Sequence, residues 1–207
     1  MSNQDGSSHR PSNHHGAEPP WVHSHAHEPN LQPPAGNGSF AVSTANGRRR
    51  MISPGDLQAL PYTSVADCLI VSTGHGISGP FTFGGARLDD LIDSVLSTSG
   101  GFETDENTVA DRGEYRSGYR NEDRKEGLGA PPQPGAWQYV DLVSADGFGT
   151  RLTPADLAAA TDRPVLLAYI LDGAPLTREQ GLVRLIVPTE TDDALRQVKW
   201  LATITIV

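Results

Sequence analysis

Ser72-Thr73-Gly74-His75 places two hydroxyls and an imidazole within four residues. Imidazole is the side chain whose charge changes near neutral pH. The apolar run Cys68-Leu69-Ile70-Val71 precedes it, so a buried strand would deliver it to a glycine-rich loop from Ser72 to Gly85. Amides and hydroxyls of such a loop can line a pocket. There His75 would serve as acid or base with Ser72 beside it, while Thr73 would orient a bound molecule. The plainer reading is that His75 only hydrogen-bonds its own loop. Tyr139 and Tyr169 each carry a hydroxyl on an apolar body, suited to orienting an organic substrate. Asp146 offers a carboxylate, although its place before Gly147 suits a turn. The chain's one cysteine, Cys68, reads as a buried core thiol or else as a soft metal ligand. No Ser-His-Asp signature and no Walker-type phosphate loop occurs.

The totals narrow the setting for these residues. The 207 residues carry a formal charge of −9, which repels phosphate backbones and argues against nucleic acid as a partner. No apolar run approaches the ~20 residues needed to cross a bilayer, so no membrane partner is expected. The polar N-terminus has no secretory signal, and one cysteine forbids an internal disulfide. Both fit a cytoplasmic protein. Residues 1–38 are rich in Ser, Asn, His, Pro and Gly and read as a disordered tail. The tail holds His9, His14, His15, His23, His25 and His27, either a weak metal-capturing tract or a solvated segment.

From 39 to 207 the pattern is that of one domain. Ser53-Pro54 and Thr153-Pro154 each supply an N-cap and a proline for a short helix. Leu88, Leu91, Ile92 and Val95 share one helical face. Short strands are expected at Phe40–Ser43, Val65–Ser72, Phe81–Phe83 (ended by Gly84-Gly85), Trp137–Ser144, Val165–Leu171, Val183–Val187 and Ala202–Val207. Residues 97–136 form a polar insertion, either disordered or a surface lid. Many short strands with few short helices imply an α+β, strand-dominated fold.

Several segments, in order, resemble the molybdopterin-binding domain of the sulfite oxidase family. These are Asp56-Leu57-Gln58-Ala59-Leu60-Pro61, Gly85-Ala86-Arg87-Leu88-Asp89-Asp90-Leu91-Ile92 and Ser144-Ala145-Asp146-Gly147. Leu171-Asp172-Gly173-Ala174-Pro175-Leu176, Val183-Arg184-Leu185-Ile186-Val187-Pro188 and Val198-Lys199-Trp200-Leu201 complete the set. The resemblance implies that family's fold. It also implies a molybdenum held by one cysteine thiolate in a Cys-x-Gly-Asn segment. Ser72-Thr73-Gly74-His75 stands at that place, with serine where the cysteine belongs and Cys68 four residues earlier. Lys199 would offer its charge to an acidic ligand. Arg87, Arg151, Arg184 and Lys199 are the available cations, and no cluster of them is evident in the sequence.

Three functions follow as expectations. The first is a metal-free derivative whose pocket binds a small organic molecule, such as a cofactor-independent isomerase or cyclase of secondary metabolism. The second is a molybdenum-molybdopterin oxidoreductase with Cys68 or Ser72 as ligand. The third is a non-catalytic binding module. Exposed strand edges leave room for a homodimer.

Overall fold

Strand β8 (Leu166–Leu171) reads Leu-Leu-Ala-Tyr-Ile-Leu, apolar at every position, and the fold buries both of its faces. Leu167 and Tyr169 turn toward one core, whereas Leu166 and Ala168 turn toward another. This follows from the two-residue period of a strand sandwiched on both sides. The computed structural model describes residues 33–72, 76–97, 103–104, 137–190 and 196–207. The histidines of the tail and most of the 97–136 insertion lie outside the described residues.

One sheet has six strands. They are β1 (Phe40–Thr44), β2 (Arg48–Ile52), β5 (Glu103–Thr104), β6 (Val140–Ser144), β7 (Gly149–Leu152) and β11 (Leu201–Ile206). Their order is β5-β2-β1-β11-β6-β7, with β1 and β11 parallel in the centre. The second sheet runs β10 (Arg184–Ile186), β8, β4 (Gly76–Arg87) and β3 (Tyr62–Ser72), with β9 (Ala174–Pro175) added to β8. The main core lies between the sheets. Phe40, Val42, Leu142 and Ile204 come from the first sheet, and Ala86, Leu167 and Leu185 from the second. Helix α2 (Leu88–Ser97) adds Leu88, Leu91, Ile92 and Val95, none more than 3% exposed, as the sequence spacing predicts. A smaller cluster covers the far face of the second sheet: Val65, Cys68, Phe83, Leu166, Ala168, Leu176 and Ile186.

One sequence expectation is corrected here. Gly84-Gly85 does not end a short strand, because β4 passes through both residues and runs to Arg87. Glycine is required there by close approach: a Cβ on Gly85 would sit 2.1 Å from the Leu167 carbonyl oxygen. The segment from Ser72 to Gly85 is therefore mostly strand rather than loop. A few residues of the insertion and of the tail are described. Glu103–Thr104, inside the insertion, pairs with β2 as an edge strand. Before Ser39, Arg178 Nη1 donates to the carbonyls of Pro34 and Gly36, which ties the end of the tail to the domain.

Both proline-initiated helices form, α1 (Pro54–Gln58) and α3 (Pro154–Ala159), each with a complete capping box. The Ser53 hydroxyl and amide donate to the Asp56 carboxylate at 2.6 and 2.9 Å, and they hold Asp56 below its ordinary pKa of 3.8. Burial works against the same shift at Asp156, but Thr153 and then Arg196 outweigh it. Ser53→Ala is expected to cost about 1 kcal/mol, since the cap hydroxyl satisfies an orphan amide. Both carboxylates have depressed folded pKa values. Their contribution is complete above the unfolded carboxylate pKa and is lost as pH falls through the folded values. Thermal unfolding between pH 7 and pH 2 should therefore show the Ser53→Ala penalty shrinking below about pH 4.

Among the described residues no helix is long and apolar enough to cross a membrane.

Candidate anion-binding site

Two stretches distant in sequence are laced together beside the sheets' junction. The Leu185 amide donates to the Val198 carbonyl at 2.8 Å, and the Leu201 amide to the Val183 carbonyl at 3.2 Å. Val183, Leu185, Val198 and Leu201 all enter the main core. Arg184 lies between two of these inward residues, so alternation turns it to the far face of the second sheet. There it pairs with Ala168 of β8, and its guanidinium stands 5.6 Å over the Phe83 ring. Arg184 Nε is buried and has no hydrogen-bond partner among the described residues.

Lys199 stands beside it. Its Nζ lies 4.0 Å over the Trp200 ring. Gly181, at φ +114°, passes so close that a Cβ there would be 3.1 Å from Lys199 Cγ. Burial, and then the neighbouring Arg184 charge, push the Lys199 pKa down. Burial alone pulls Arg184 down to about 10, which leaves it a cation at neutral pH. Asp146 and Glu179 oppose the Lys199 shift. Ion pairs among the described residues are made by other groups, such as Arg87 with Asp89 and Arg151 with Asp141. Neither Arg184 nor Lys199 makes an ion pair among the described residues, and two adjacent, partly desolvated cations could accept an anion that brings its own charge. The sequence reading missed this cluster. Its one visible signal is an arginine inside the apolar run Val183 to Val187.

The other candidates are dispersed. Asp146 follows β6 and comes near Lys199, because the Ala145 amide donates to the Trp200 carbonyl at 2.9 Å. Its carboxylate, however, accepts from the Ser144 hydroxyl and from the Phe148 amide, as in a turn. Tyr139 precedes and Asp146 follows the five-residue strand β6, so they stand at opposite ends of a strand roughly 17 Å long. The Arg151 guanidinium covers its ring at 3.7 Å. Tyr169 is half-buried on the inner face of β8, opposite to Arg184, with the Tyr62 ring 6.3 Å away. Burial raises its pKa. Ser72 pairs with Gly76 at the end of the β3–β4 hairpin, whose residues 76–80 are exposed. Thr73 and His75 lie outside the described residues. The structure thus brings Lys199 and Asp146 together and does not join them with Tyr139 or Tyr169.

Cys68 sits at a bulge, where the β3 register shifts and Asp67 adopts φ +55°. Its sulfur is buried in the smaller cluster, 3.5 Å from the Val65 carbonyl oxygen and 3.7 Å from Arg163 Nη2. Burial raises the thiol's pKa, and the Arg163 charge only partly offsets this. Among the described residues no group of three or more His, Cys, Asp or Glu side chains is placed to hold a metal.

The two-sheet, strand-dominated α+β architecture is that of a molybdopterin-binding domain. The family model described as the oxidoreductase molybdopterin binding domain matches residues 45–207, and the chain belongs to that family, as the sulfite oxidase resemblance implies. The structure is also similar to the crystal structure of the sulfane dehydrogenase SoxCD from Paracoccus pantotrophus, at 15% identity and a TM-score of 0.47. That match covers 81% of this chain and 37% of the other, so the present sequence spans little more than a third of that protein. No curated protein matches the chain.

Proposed function

We propose that the chain is the cofactor-binding unit of a molybdopterin-dependent oxidoreductase, and that Arg184 and Lys199 receive the phosphate of the pterin. The observation that carries this reading is the buried Arg184 Nε without a hydrogen-bond partner among the described residues, beside the second cation Lys199. A phosphate supplies the missing acceptors, and charge-assisted hydrogen bonds of this kind are the strong ones. The donor set therefore fits the anionic end of the cofactor. Lys199 and Arg184 would bind and orient that end, and Trp200 would shield it from water on one side. The family's redox chemistry resides in the cofactor, and no reaction step is assigned to side chains of this chain.

The cofactor-independent isomerase or cyclase reading gains no support. The family is one of molybdopterin binders, and Tyr139 and Tyr169 do not converge with Lys199 on one cavity. The test is the pterin content of protein purified from a host that makes the cofactor, read as fluorescence after acid oxidation. The parent chain should carry pterin in near-stoichiometric amount. Lys199→Ala should carry at least about tenfold less, the loss of one charge-assisted bond of about 1.5–3 kcal/mol. A parent chain free of pterin would sink the proposal.

A further inference from the structure

We infer that Cys68 is a packing thiol of this domain rather than a ligand to the cofactor's metal. The inference rests on the reading just given and concerns how the same ligand is anchored. A metal-binding cysteine must present a deprotonated sulfur to an open coordination position. Cys68 is 1% exposed, and Phe83 and Leu166, both fully buried, pack in the same cluster. The sulfur's polar neighbours are the Val65 and Ala66 carbonyls and the Arg163 guanidinium. The thiol donates hydrogen bonds to these carbonyls, which the deprotonated sulfur of a metal ligand could not do.

The backbone that aims the sulfur is also pinned. Arg163 Nη2 donates to the Ala66 carbonyl at 3.0 Å and to the Asp67 carbonyl at 3.1 Å. Those two residues form the bulge that immediately precedes Cys68. Turning the sulfur outward would break both bonds and move the strand. Cys68 on β3 is also three strand positions from Arg184 on β10, about 14 Å of sheet at ~4.8 Å per step. The Phe83 ring, under the Arg184 guanidinium, belongs to the cluster that encloses the thiol.

The test is X-ray absorption at the molybdenum edge of the full chain purified from a cofactor-producing host, together with pterin and molybdenum content of the parent and of Cys68→Ala. Two sulfurs per molybdenum, those of the pterin dithiolene, are expected. The cofactor content of Cys68→Ala should lie within twofold of the parent. Three sulfurs in the parent, or a folded Cys68→Ala that keeps pterin but loses molybdenum tenfold, would overturn the inference and leave the phosphate site standing. Should Cys68→Ala fail to fold, the sulfur count of the parent decides alone. A parent chain with no pterin at all overturns the cofactor reading, and the inference with it.

Discussion

Gly85→Ala is expected to lower the stability of the folded chain by about 3 kcal/mol, the upper end of what overpacking usually costs. The new Cβ would stand 2.1 Å from the Leu167 carbonyl oxygen and 2.7 Å from the Ala168 Cα. Both atoms are backbone of β8, paired to β4 on one side and β10 on the other, so neither can swing aside. For a chain of this size the thermal midpoint should fall by roughly 6–12 °C. Gly84→Ala is the internal control. A Cβ there also meets an atom at 2.1 Å, but that atom is the hydroxyl of Tyr62, a side chain 58% exposed. Tyr62 can rotate into solvent, and a change of under about 1 kcal/mol is expected. Equal midpoints for the two variants, measured by circular dichroism, would contradict the assignment of Gly85 to a close strand contact.

Arg184→Met separates stability from binding in the opposite direction. In cofactor-free protein the substitution should leave the midpoint unchanged or raise it by roughly 2–4 °C, about 1 kcal/mol. The reason is that burial penalises the guanidinium and no acceptor among the described residues compensates Nε. Methionine keeps the stem's packing against Phe83 and removes the desolvated charge. Pterin content should meanwhile fall at least as far as in Lys199→Ala, because Arg184 presents several donors in a fixed fork. A midpoint lowered by more than 4 °C in the absence of cofactor would show that Arg184 serves the fold and not a ligand.

The parts of the fold legible in the sequence are those fixed by neighbours in the chain. Ser53-Pro54 and Thr153-Pro154 announce their helices because cap, proline and third-position aspartate act within four residues. The buried face of α2 follows from helical spacing alone. The full length of β4 was not legible. Two adjacent glycines ordinarily end a strand, and only the distant Leu167 carbonyl shows why they continue one. The same limit governs the site. Arg184 and Lys199 appear in the sequence as separate cations, and their meeting depends on two backbone bonds between residues 183–185 and 198–201. Tyr139 and Asp146 mislead for the converse reason, since a five-residue strand sets them at opposite ends. The family resemblance carries further than any of these local signals, because it rests on the order of many segments at once.

The parallel seam between β1 and β11 has a consequence for how the chain is made. The five other strands of the six-stranded sheet, β1, β2, β5, β6 and β7, precede β11 in sequence, yet β11 is the one that joins the β2–β1 ribbon to the β6–β7 ribbon. During translation these hairpins emerge early and must wait, their core-facing Val42 and Leu142 uncovered, until the strand starting at Leu201 leaves the ribosome. Such dependence on contacts far apart in sequence slows assembly and lengthens the interval in which apolar surface invites aggregation. A chain halted before Leu201 would hold two unjoined ribbons in place of this sheet.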